Sequence, residues 1–285
     1  MTATIELAVL SEKAGAIKRR WPIYTGMVDL LSDLLAETIR AESRVCFNVS
    51  PGNFFSMGQG LAMGKSLFEP GTFPLDVELT QALYPELAKR TMQFQGLESS
   101  GLDQVLSGRK LDSKELVSVA LEPGSRALAS LCKENRVDPE PVRLLVRLAL
   151  RPSMRQLSRK MATRFDFSRW SHGHCPVCGS SPALAELGGE GKSRALHCAL
   201  CETSWAYPRL GCPFCGNQDR EDLGYSYAEG EKGLRIDLCQ SCGQGLKTLE
   251  TGPASPPVVL LLDELSFSHL VIATGESDGQ RVRDL

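Results

Sequence analysis

The pentapeptide Cys-Pro-x-Cys-Gly occurs twice in this 285-residue chain, as "CPVCG" at 175–179 and "CPFCG" at 212–216. Each copy is followed by another Cys-x-x-Cys, "CALC" at 198–201 and "CQSC" at 239–242. No other feature restricts the fold as much. A Cys-x-x-Cys turn points two sulfurs to the same side, and two such turns complete a tetrahedron of four thiolates about one metal. Glycine after the second cysteine, Gly179 and Gly216, lets each turn take a positive φ and brings backbone N–H groups toward sulfur.

Nineteen residues separate Cys178 from Cys198, 23 separate Cys215 from Cys239, and only 10 separate Cys201 from Cys212. With the repeated pentapeptide, these spacings favour a sequential grouping. Cys175, Cys178, Cys198 and Cys201 then hold one metal, and Cys212, Cys215, Cys239 and Cys242 hold a second, as in a duplicated unit. An interleaved cross-brace uses the same eight residues and stays open on spacing alone. Disulfides are disfavoured, because eight of the ten cysteines sit in pairs within a large chain that reads as not secreted. A thioredoxin-type dithiol is single and opens a helix in a βαβ setting, which these four turns do not match. Four thiolates suit zinc and iron alike, and Cys-Pro-x-Cys-Gly is also the pattern of rubredoxin-like iron sites. With all four ligands from protein, both sites read as closed, leaving no position for a substrate. That argues against an enzyme.

The first 165 residues read as helical. "GMVDLLSDLLAETIRAE" (26–42), "LDVELTQALYPELAKRTMQ" (75–93), "SKELVSVAL" and "SRALASLCKENR" place apolar residues at helical spacing. Between the first two lies "SPGNFFSMGQGLAMGKSLFEPGTFP", a Gly- and Phe-rich loop. Residues 139–165 form a further helix that Pro152 is expected to kink or split. After "DFSRWSHGH", a polar connection, short strands are expected at "SRALHC", "LGYSYAE", "GLRIDLC" and "LKTLET". "VVLLLDELSFSHLVIAT" reads as a closing helix, or a strand followed by a helix, and "ESDGQRVRDL" as a loose tail. The expected fold class is α+β: a helical domain over 1–165, a first four-Cys ribbon over 166–210, and a second ribbon with a closing segment over 211–285. The metal module is of tandem rubredoxin-like or zinc-ribbon type, built of short β-hairpins.

Other signals carry less. "GQGLAMGKS" (58–66) has glutamine where a phosphate-binding loop needs its first glycine, so an ordinary mobile loop is expected. Cys46 and Cys132 read as buried small hydrophobes, and His172, His174 and His197 as neighbours of the turns rather than ligands. Arg143, Arg147, Arg151, Arg155 and Arg159 recur every four residues along one slowly drifting helix stripe, read either as a solvated face or as a docking surface for an acidic partner. Net charge is −2, and residues 166–250 hold eight Lys/Arg against eleven Asp/Glu, to which the thiolates add negative charge. Such a surface repels phosphate, so a nucleic-acid partner is disfavoured. The N-terminus lacks the order of a signal peptide, and no apolar run is long enough to span a membrane, so no membrane insertion and a cytoplasmic location are expected.

"LHCALCETSW" (196–205), set between "CPVCG" and "CPFCG" and followed by "CQSCGQGLK", resembles the formate dehydrogenase accessory proteins, the FdhE family. The helical first half and "LLDELSFSHLVIA" after the last turn fit that family's layout. One departure is Gly245, where the family usually has an aromatic residue before the Leu-Lys pair. The resemblance implies a cytoplasmic factor required for formate dehydrogenase activity, which contacts the catalytic subunit of the molybdenum or tungsten enzyme during maturation. It also implies that the eight cysteines are metal ligands and that the metal is iron in two mononuclear sites, with zinc as the alternative. Whether the chain forms a homo-oligomer is left open.

Overall fold

The computed structural model describes residues 3–268 except 48, 50–53, 70–71, 96–100, 109–111, 123, 189–192, 228–230, 232 and 254. The expected tail, 276–285, and the end of the closing segment lie outside the described residues. The chain divides into two units, Met1–Phe54 with Phe68–Met161, and Phe55–Leu67 with Ala162–Leu285.

The first unit is helical: α1 (Ala3–Arg20), α2 (Thr25–Ala41), α4 (Val77–Gln95), α5 (Ser113–Leu121), α6 (Arg126–Asn135) and α7 (Pro139–Ala162). α2 buries Val28, Leu31, Leu35 and Thr38, the i, i+3, i+7 stripe that its sequence announces. Local signals set the other ends. Asp112 and Glu115 form a reciprocal capping box at α5, and the Ser125 hydroxyl accepts from the Leu128 N–H at the start of α6. α7 is the central helix. Its middle is buried all round, from Leu148 through Met154, so it is one helix of 24 residues and Pro152 does not divide it. The ring forgoes one N–H, but apolar packing on every side supports the turn.

The C-terminal half of the arginine stripe is neither a solvated face nor a free docking surface. Steps of four advance about 40° around a helix, so over 16 residues the row wraps roughly 160° and leaves any single face. Its C-terminal half turns inward. Arg151 is 6% exposed and donates to the Thr38 hydroxyl (2.8 Å). Arg155 and Arg159 both reach Glu6 of α1 and Glu42 just after α2. Arg155 lies 2.5 Å from Glu6 and 2.6 Å from Glu42, and Arg159 lies 2.5 Å from Glu42 and also pairs with Glu6. Each carboxylate thus bridges both guanidiniums, and three segments meet at one closed square of charge.

The second unit holds a six-stranded sheet: β1 (Pro182–Gly188), β2 (Ser193–Cys198), β3 (Ser204–Ala206), β4 (Leu223–Tyr227), β5 (Leu234–Cys239) and β6 (Gly245–Glu250). The spatial order is β3-β2-β1-β6-β5-β4. It is two antiparallel three-stranded meanders fused edge to edge, with β1 and β6 parallel in the register Leu184↔Lys247 to Leu187↔Glu250. The α+β class with tandem cysteine modules is therefore what the chain adopts. α8 (Leu260–Leu265) packs against β1.

Residues 55–67 differ from the expected mobile loop. They form α3 (Phe54–Ala62), ended at Gly64 with φ +78°, where the Lys65 N–H bonds back to the Gly60 carbonyl. A side chain at Gly64 would sit 2.5 Å from the His172 ring. The segment belongs with the sheet, where the Ser66 hydroxyl donates to the Cys175 carbonyl and the Leu67 N–H to that of Pro176, both at 2.8 Å.

Candidate metal centres

All four Cys-x-x-Cys turns share one backbone pattern. The N–H of the first cysteine bonds to the carbonyl five residues on: Cys175 to Ser180, Cys198 to Thr203, Cys212 to Asn217, and Cys239 to Gln244. The residue after the second cysteine is left-handed each time: Gly179 at +75°, Gly216 at +77°, Gly243 at +69°, and Glu202 at +58°. This curl turns both sulfurs and the intervening N–H groups inward. In the second turn, the Leu200 and Cys201 N–H groups lie 3.4 and 3.5 Å from the Cys198 sulfur. Glycine at two of these positions was expected. Gly243 repeats that signal in the sequence, and Glu202 takes the same conformation without it.

The meanders carry the turns to each other. Cys175 and Cys178 precede β1, Cys198 ends β2 and Cys201 lies in the turn to β3. In the second meander Cys212 and Cys215 precede β4, Cys239 ends β5 and Cys242 lies in the turn to β6. The grouping is sequential, not interleaved. Within each set the four sulfurs lie within 4.8 Å of one another, and no histidine joins either cluster among the described residues. His197 instead faces Glu186 at 3.2 Å. Cys46 is exposed and Cys132 half-buried, so neither is the buried small residue expected.

The donor sets suit a tetrahedral ion. A metal 2.3 Å from four sulfurs sets them about 3.8 Å apart, whereas a disulfide sets two at about 2.05 Å. Nearest sulfurs here are 3.4 Å (Cys178–Cys198) and 3.5 Å (Cys175–Cys201) in the first centre. They are 3.6 Å (Cys212–Cys242) and 3.7 Å (Cys215–Cys239) in the second. Protein groups alone do not stabilise four thiolates at once. Burial pushes the Cys175 and Cys201 thiols well above their ordinary value. Burial also raises Cys178, but hydrogen bonds from Cys175, Cys198 and Cys201 outweigh it and hold that thiol well below. In the second centre burial raises Cys212 to about 12. A cation would supply the charge needed to ionise the rest.

The centres differ in exposure. Cys175, Cys178, Cys198 and Cys201 are all 1% exposed or less, and Trp205 (3%) and Trp170 (5%) are buried as well, their indole N–H groups bonding to the His172 and His174 carbonyls just before Cys175. In the second centre Cys212 and Cys239 are buried, Cys242 is half-buried and Cys215 is exposed. The Tyr207 hydroxyl links the two by donating to the Cys212 carbonyl (3.0 Å).

The left-handed positions give a direct test. A Cβ on Gly216 meets nothing within 4 Å, so Gly216→Ala will cost about 1 kcal/mol through backbone strain alone. A thermal melt of this variant against the parent chain reads the cost.

Residues 174–209, which hold the first centre, match the family "FdhE, central domain". A relative described as "Protein FdhE homolog", from Aquifex aeolicus (strain VF5), is 29% identical over 248 residues, 82% of this chain and 78% of the relative. "Protein FdhE" from Salmonella paratyphi B is 36% identical over 109 residues, 37% of this chain and 34% of that one. The crystal structure of the FdhE protein from Pseudomonas aeruginosa superposes with a TM-score of 0.63 over 98% of this chain and 94% of that one. At 17% identity, that likeness is one of fold.

Proposed function

We propose that the chain, as a member of the FdhE family, is an accessory factor for formate dehydrogenase, acting on the catalytic subunit in the cytoplasm before export. The observation that carries this reading is the pair of four-sulfur centres built into one sheet. All four donors of each come from the chain, so we read both as closed sites whose metals fold the module rather than turn over a substrate. No helix among the described residues is long and apolar enough to cross a membrane. We assign client contact to protein surface: a helical part over 1–165, and two metal ribbons over 166–210 and 211–285. No enzymatic activity is proposed.

We assign iron to both sites, held by Cys175, Cys178, Cys198 and Cys201 and by Cys212, Cys215, Cys239 and Cys242, with zinc as the alternative. A second reading, an iron protein that passes electrons to its client, is favoured by one observation. Cys215 is exposed and Cys242 half-buried, so the second centre lies at the surface where a partner could reach it.

Affinity purification of the intact, metal-loaded chain from its own cytoplasm tests the assignment, with a Cys212→Ser/Cys215→Ser variant alongside. The expected result is recovery of a formate dehydrogenase catalytic subunit with the intact chain and loss of most of it with the variant. Recovery of nucleic acid alone would overturn the reading. A reversible iron signal that the client's activity requires would favour the electron-transfer version.

A further inference from the structure

We propose that a cavity of about 450 Å³ beside the second centre binds a phosphate monoester carried on a planar ring, the chemistry of a mononucleotide. The cavity lies on one face of the sheet. Register places Tyr225 opposite Asp237, Tyr227 opposite Arg235, and Asp237 opposite Leu246, so β4, β5 and β6 all contribute side chains to that face. A buried sheet face is normally apolar, but this one holds two arginines. Arg194 is 5% exposed and Arg235 8%.

Their compensation is incomplete. Arg194 donates to the Gly211 carbonyl (2.8 Å) and to Asp237 Oδ2 (3.1 Å), and Arg235 lies 3.6 Å from Glu250. Arg235 Nε is 2.8 Å from Asp237 Oδ1, yet its N–H is not directed at that oxygen. Both of these atoms, and Arg194 Nε, are left without a hydrogen bond. Buried polar atoms in that state are uncommon and point to a missing partner nearby.

Charge and shape then select the ligand. Asp237 and Glu250 offset the two buried arginines. Arg209 and Arg220 also line the cavity, are exposed, and make no ion pair among the described residues. Two free guanidiniums match a phosphate monoester, which carries about −1.5 to −2 at pH 7. Phe214, Tyr225 and Tyr227 supply aromatic surface for a ring, with the two tyrosine rings 5.3 Å apart and nearly perpendicular. The volume falls in the small-molecule range of roughly 300–1,000 Å³. The acidic surplus of residues 166–250 disfavours a longer phosphate polymer. This inference does not depend on the formate dehydrogenase reading.

The test is calorimetric titration of the metal-loaded full chain at low salt with GMP, AMP, guanosine and inorganic phosphate. The nucleotides should bind with Kd below about 1 mM, and guanosine and phosphate each at least about tenfold more weakly. An Arg209→Ala/Arg220→Ala variant should lose about tenfold or more for the nucleotides, with metal content and melting temperature unchanged. Arg220→Glu should abolish their binding and leave the fold intact. The proposal is overturned if neither nucleotide saturates by about 5 mM, if the double variant binds them as the parent does, or if a short oligonucleotide binds more tightly than either nucleotide.

Discussion

A Cys178→Ser/Cys198→Ser exchange will remove one metal equivalent and abolish the folding transition of the sheet unit. The same exchange at Cys215 and Cys242 will remove the other equivalent and only lower that transition. Structural tetrathiolate sites contribute about 10–16 kcal/mol, comparable to or above the 5–15 kcal/mol by which a whole domain is stable. The first centre has nothing to fall back on, because its cysteines are 1% exposed or less and no water reaches a polar side chain put in their place. In the second, the exposed Cys215 and half-buried Cys242 leave a substituted side chain in reach of water, and β6 keeps its pairing with β1. Metal analysis with tryptophan fluorescence reads the result directly. Trp170 and Trp205 are buried in the sheet unit and bonded to carbonyls of the segment leading into Cys175, so their emission should shift to the red in the first variant and stay nearly in place in the second. Chelator challenge of the parent chain should release metal in two phases, with the second centre losing its ion first. Equal release rates, or a first variant that melts like the parent, would show that the sheet holds itself together without the ions.

Glu42→Ala will destabilise the helical unit by about 3 kcal/mol, one of the larger single-site effects available outside the centres. Glu42 is buried and accepts from Arg155 and Arg159 at once, so its removal takes one of the two carboxylates from both guanidiniums. Arg155 is 18% exposed and bears most of the cost, whereas Arg159 is 42% exposed and is partly rescued by water. At roughly 2–4 °C per kcal/mol for a unit of this size, the melting temperature should fall by on the order of 10 °C. Circular dichroism of Glu42→Ala, Arg155→Ala and the double variant completes a cycle. The double variant should lose much less than the sum of the singles, because each single change strands a charge that the double change removes. An additive cycle would mean that the square of charges contributes nothing as a unit.

Legibility followed the range of the forces involved. The helices read between residues 26 and 165 were visible because their apolar spacing repeats within a few residues. The four turns were visible because Cys-x-x-Cys encodes its own geometry. β1 was not. "PALAELG" is composed largely of good helix formers, and it is extended because it is held between Cys178 and Cys198 and paired on both sides, with β2 and with β6. β3 is three residues long and offers no period to read. The arginine row read as a surface stripe because its spacing says nothing of the two glutamates more than a hundred residues away.

From the sequence alone came the eight sulfurs, a preference for their sequential grouping, the helical first half and the resemblance that led to the family, since each rests on residues that act on near neighbours. Only the tertiary structure decided that the two meanders fuse through parallel strands, that residues 55–67 group with the unit that holds the sheet, that one centre is sealed while the other opens to solvent, and that Arg155 and Arg159 are held by two buried glutamates. Those outcomes depend on which distant segments meet, and burial, which sets the worth of a charge or a thiolate, exists only after they have met.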